Sequence, residues 1–99
     1  MSANGHFRIA IVEDDPIVRE HFIEIVTAAP GLDLAGIAPN LAKASDLIAL
    51  EPDLFLVDIG LPDGSGLEIV PAIKAAGTAR VLIVTSFGDR ETVVNAIIA

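Results

Sequence analysis

The chain contains no cysteine, no tryptophan and no tyrosine, and only six of its 99 residues are lysine or arginine. Without cysteine there is no disulfide framework, no thiolate metal site and no cysteine nucleophile. Six dispersed cations against fourteen acids, a net charge of −8, argue against direct binding of nucleic acid, which needs a basic face. Long apolar runs are missing as well. Each is broken by Asp, Glu, Gly or Pro within about ten residues, short of the roughly twenty that a membrane span requires. The start, Met1 to Arg8, lacks the charged-then-apolar pattern of a secretory signal, so the expected compartment is the cytoplasm.

What remains is an apolar chain of one domain, 1–99, with 53% hydrophobic and 20% charged residues. Short runs of Val, Ile, Leu and Phe alternate with longer stretches whose apolar residues fall three and four apart. The first strand is predicted over Arg8 to Val12. A helix follows, with Asp15 as N-cap, Pro16 at the first helical position and an apolar face of Ile17, Val18, Phe22, Ile25, Val26 and Ala29, stopping at Pro30-Gly31. A weaker strand, Asp33 to Ala38, leads to Asn40, the expected cap of a helix carrying Leu41, Ala44, Leu47 and Ile48. The third strand is Leu54 to Val57. Ser65 and Glu68 have capping-box spacing for a third helix, in which Pro71 predicts a kink. The fourth strand runs from Arg80 to Thr85, and a fourth helix is expected from Arg90 to Ala99, capped by Asp89. Apolar strands separated by helices predict a doubly wound α/β fold with a parallel sheet covered on both faces.

Ligands of such sheets lie beyond the carboxyl ends of the strands. That rim gathers Glu13, Asp14 and Asp15 after strand one, Asp58 to Gly60 after strand three, and Thr85 after strand four. Adjacent strands are roughly 4.8 Å apart, so Asp14 and Asp58 are placed to share an ion if strands one and three are neighbours. Oxygen ligands favour a hard cation such as magnesium, and the Gly60 carbonyl is a further candidate ligand. The Thr85 hydroxyl suits a phosphoryl oxygen. Taken alone, Asp58 reads as a turn cap and Thr85 as a β-branched strand residue; their shared rim promotes both. Gly60, Gly64 and Gly66 form no phosphate-binding loop. His6 and His21 are expected at exposed or cap positions, and Phe87 as core or a mobile surface aromatic.

Ile11-Val12-Glu13-Asp14-Asp15-Pro16, then Leu56-Val57-Asp58-Ile59-Gly60-Leu61-Pro62-Asp63-Gly64-Ser65-Gly66-Leu67-Glu68, then Val84-Thr85-Ser86, resemble the receiver domain of two-component response regulators. The resemblance extends over nearly all of the chain. It implies a flavodoxin-like sheet of order 2-1-3-4. It implies that Asp58 accepts phosphate from a sensor histidine kinase with Mg2+ present. Asp14 would be the direct metal ligand, Glu13 would act through water, and Thr85 would contact the phosphoryl group and move with it. The Asp15-Pro16 helix start is similar to receivers joined to helix-turn-helix outputs, which implies transcription control. Such a domain is a switch rather than a turnover enzyme.

The family also carries a lysine and an aromatic residue on a fifth strand, and the sequence reaches Ala99 before either; Lys43 and Lys74 fall in the second and third helices. The expectation is a receiver lacking its fifth strand and last helix. An open strand-four edge and an uncovered face of helix one would then favour a homodimer or higher oligomer through the strand-four and helix-four side. The alternative is a pseudo-receiver, an interaction module not switched by phosphorylation. An aspartate-nucleophile phosphohydrolase would need a second acid where Gly60 stands. A dinucleotide-binding domain would need glycines where the first turn carries acids.

Overall fold

A computed structural model describes residues 6–84 and 97–98. Five strands form the main sheet in the order β2-β1-β3-β6-β7: β1 (Phe7–Val12), β2 (Leu32–Ala38), β3 (Leu54–Asp58), β6 (Arg80–Val84) and β7 (Ile97–Ile98). The first four are parallel, so the chain crosses over between them through α1 (Pro16–Ala28), α2 (Leu41–Ile48) and α3 (Val70–Ala76). A two-residue hairpin, β4 (Gly60–Leu61) with β5 (Gly64–Ser65), sits between β3 and α3. The doubly wound order expected from the sequence is the order observed.

The pleat of the sheet divides the core in two. Ala10, Val12, Phe55, Val57, Val81 and Ile83 point to one face and are buried with Ala44, Leu47 and Ile73 of α2 and α3. Ile9 and Ile11 point to the other, where Val26 of α1 meets them. That second face is thinner: Leu34, Leu54 and Leu56 are only half-buried there. Fully burying an aliphatic side chain stabilises by about 1.5–3 kcal/mol, so the α2/α3 side contributes more of the stability.

Helix starts follow the local chemistry. The Asp15 carboxylate accepts from the Ile17 and Val18 amides, the Asn40 side chain accepts from Lys43, and Ser65 with Glu68 forms the reciprocal capping box. Gly31 has φ +83°, which lets the chain reverse after α1.

Five expectations need correction. Ser65 caps a 3₁₀ turn, Gly66–Ile69, and α3 begins only at Val70. Pro71 therefore occupies the first turn of α3, where its missing N–H leaves no bond unmade, and no interior kink arises. The apolar face of α1 is rotated: Phe22, Ile23 and Val26 pack on the sheet, whereas Ile17 and Ile25 are 69% and 64% exposed. His6 is half-buried rather than exposed, and its Nδ1 lies 2.9 Å from an Asp33 carboxylate oxygen across the starts of β1 and β2. Ile97 and Ile98, expected at the end of a helix, form a strand antiparallel to Ile83 and Leu82, so the β6 edge is partly paired rather than open. The remainder of that expected helix, with Asp89, lies outside the described residues.

Candidate functional site

Two strand ends meet at the carboxyl rim. Val12 of β1 pairs with Val57 of β3, so the next residues, Glu13 and Asp58, stand level beside each other. The Glu13 amide continues the β1–β2 ladder by donating to the Ala38 carbonyl at 3.0 Å, which holds its side chain at the rim, 2% exposed. Asp58 ends β3 at 7% exposure, and the Gly60 amide donates to its Oδ1 at 3.2 Å. Asp14, the residue between the strand end and the cap, is exposed. One carboxylate oxygen from each of Glu13, Asp14 and Asp58 lies within 4.8 Å of the other two.

Burial drives Glu13 up to about 8; the Asp15 amide, donating to Glu13 at 3.2 Å, works against that rise, and the neighbouring Asp58 carboxylate adds to it. A divalent cation removes the electrostatic penalty that this crowding creates. The donor set is oxygen only, two acids buried and one open to solvent, which suits a hard ion that keeps some of its water. The residues present fit such an ion.

The loop after Asp58 is fixed from several directions. Ile59 donates to the Val84 carbonyl at 2.9 Å, and Gly66 donates to the Ile59 carbonyl at 2.8 Å. Gly66 is required there: a β-carbon would run into the Asp58 carbonyl and the Val57 side chain. Gly60, the expected backbone ligand, is exposed in β4 with open space around it. Thr85 and Phe87 lie outside the described residues. Val84, before Thr85, pairs with Asp58.

Two contributors were not read from the sequence. Arg19 of α1 reaches back, its Nη1 donating to the carbonyls of Glu13 at 3.1 Å and Asp14 at 3.4 Å. Asp63 accepts from the Leu41 and Ala42 amides at 2.9 and 3.1 Å, and both bonds hold its carboxyl below the usual range. The spacing of Arg19 six residues after Glu13 is a weak signal for the first. Nothing local signals the second, because its partners lie on another helix.

A cavity of about 460 Å³ opens at the opposite, amino ends of the strands, between Ile48, Phe55, Ile73 and Ala79. The Asp53 carboxylate on its wall accepts from the Arg8 amide at 2.8 Å. The acid trio is at the far rim.

The fold and rim define a doubly wound α/β domain with an acidic site at the strand ends. A family model described as the response regulator receiver domain matches residues 9–99, and the chain belongs to that family. It is 33% identical over 94 residues to the DNA-binding transcriptional activator DevR/DosR of Mycobacterium tuberculosis, covering 93% of this chain and 43% of that protein. It is 40% identical over 89 residues to the response regulator protein PilR of Pseudomonas aeruginosa, covering 88% of this chain and 20% of that one. Protein-glutamate methylesterase/protein-glutamine glutaminase from Nocardioides is 34% identical over 80 residues, 80% of this chain and 22% of that protein. The response regulator domain of Thermotoga maritima CheB superposes with a TM-score of 0.76 at 26% identity, covering 89% of this chain and 66% of that structure. The chain spans less than half the length of these curated relatives. No helix among the described residues is long and apolar enough to cross a membrane.

Proposed function

We propose that residues 1–99 act in the cytoplasm as one phosphoacceptor receiver domain, with Asp58 as the nucleophile and a sensor histidine kinase as donor. The observation that carries this reading is the trio of Glu13, Asp14 and Asp58, two of them buried, at the ends of neighbouring strands. An Asp58 carboxylate oxygen forms a bond to phosphorus as the phosphorus–nitrogen bond of a phosphohistidine breaks, and the electron pair returns to the imidazole. Magnesium, when bound, neutralises charge that spreads over the phosphoryl oxygens in the loose transition state. Asp14 and Asp58 with the Gly60 carbonyl would hold the ion directly, and Glu13 would act through water. The Gly60 amide orients the Asp58 carboxylate before attack. Thr85 is assigned to the phosphoryl oxygens and to transmission of the change.

The domain is read as a switch: the transcriptional regulators and methylesterases among its relatives attach different outputs to it. Transcription control through an attached domain is the proposed output here. The test is incubation with a small phosphodonor and magnesium, read by intact mass. The wild-type chain is expected to gain one phosphoryl group and Asp58→Ala none. A gain that survives the substitution overturns the assignment to Asp58, and no gain in the wild type favours the pseudo-receiver.

A further inference from the structure

The β4–β5 hairpin begins two residues after Asp58 and carries Gly60 in its first strand. Its two-residue tip is Pro62-Asp63, and both carboxylate oxygens of Asp63 are engaged: Oδ1 accepts from the Leu41 amide at 2.9 Å and Oδ2 from the Ala42 amide at 3.1 Å. These are the first two amides of α2, which no intrahelical carbonyl can satisfy. The third, Lys43, is taken by the Asn40 side chain at 2.8 Å. Two caps thus serve one helix end. Asn40 belongs to the helix's own segment; Asp63 belongs to the hairpin beneath the site.

We infer that Asp63 is a positioning residue, one that pins the hairpin tip to the start of α2 so that the Gly60 segment, Asp58 loop and α2 hold one geometry. This rests on the receiver reading for its metal but not for its mechanics. Buried Leu61 anchors the inner side of the hairpin, and the 2.8 Å bond from Gly66 to Ile59 closes its base. The tip, Pro62-Asp63, is exposed, and there the charge-assisted pair of bonds supplies the restraint. A carboxylate at a helix N-terminus also suits the positive end of the helix dipole.

The experiment compares Asp63→Ala and Asp63→Asn with Asn40→Ala, which removes a cap from the same helix end without touching the hairpin. Amide hydrogen exchange is followed at residues 60–65, and magnesium affinity is measured by titration. Asp63→Ala is expected to lose protection across the hairpin and to bind magnesium about tenfold more weakly, as disturbed supporting residues of metal sites do. Asp63→Asn, which keeps the shape but loses the charge, is expected to fall between Asp63→Ala and the wild type. Asn40→Ala is expected to keep hairpin protection and to bind within about twofold of the wild type, a difference of about 0.4 kcal/mol or less at 25 °C. Wild-type protection in Asp63→Ala, or equal losses in Asn40→Ala, would overturn the inference. A wild-type chain that binds no magnesium would overturn the metal reading instead, and the exchange comparison would then decide the inference by itself.

Discussion

Glu13 shows how far burial sets the behaviour of a single residue at this rim. Its carboxyl is raised to about 8 in the folded chain from an ordinary value of 4.5, so folding favours the protonated acid. The stability that this contributes is full below 4.5 and is lost as pH rises through the interval to 8. Metal-free chain is therefore expected to become easier to unfold in urea between those limits, and Glu13→Gln to flatten that slope. Magnesium acts in the opposite sense, because it favours the ionised acids. A urea series at several pH values, with and without the ion, checks both; an unchanged slope in Glu13→Gln would remove Glu13 as its source. Arg19 completes the residue-scale picture by holding the Glu13 and Asp14 backbone from α1.

At the scale of elements, the turn between β3 and α3 depends on two small residues. Ser65→Ala removes half of the capping box and is expected to cost about 1 kcal/mol. Gly66→Ala forces a methyl against the Asp58 carbonyl and is expected to cost about 1–3 kcal/mol, the range for overpacked sites. Chemical denaturation should rank Gly66→Ala as the more harmful, and phosphorylation of Asp58 should slow in it by more than in Ser65→Ala. The caps at Asp15, Asn40 and Ser65 were legible in the sequence because a cap is a bond within a few residues. The strands were legible too, through their unbroken apolar character, whereas their order was implied by the resemblance to receiver domains and is the order observed. The buried face of α1 was not: Ile17, His21 and Ile25 share one exposed side while Phe22, Ile23 and Val26 take the sheet, and apolar spacing alone fits either choice. The roles of Arg19 and Asp63 were hidden for a related reason, since each bonds to backbone that only the folded chain brings near. The acid trio fell between these cases. Its members were named from strand ends, but the level pairing of Glu13 with Asp58 needed the register.

For the whole molecule, the two unequal faces of the sheet matter most. Side chains under α2 and α3 are buried, whereas Leu34, Leu54 and Leu56 beside α1 are half-exposed and Ile17 and Ile25 stand outside. Exposed apolar surface on a small domain favours association. Light scattering over a dilution series is expected to show mass above that of one chain, falling towards it on dilution. A single monomeric mass at every concentration would refute self-association. Because β7 partly pairs the β6 edge at Leu82 and Ile83, a contact made through the sheet edge has less free backbone than a bare strand would offer.

The central place of β3 has a consequence for how the site comes into being during synthesis. Asp58 ends a strand with β1 on one side and β6 on the other, and Ile59 is held by the carbonyl of Val84. The ribosome makes the acids of the first turn early and Asp58 later, yet the loop that aims Asp58 waits for Val84 to emerge. Until then, the nascent chain carries the Asp58 carboxylate without the rim that buries it. The geometry of the rim is set only once β6 has joined the sheet.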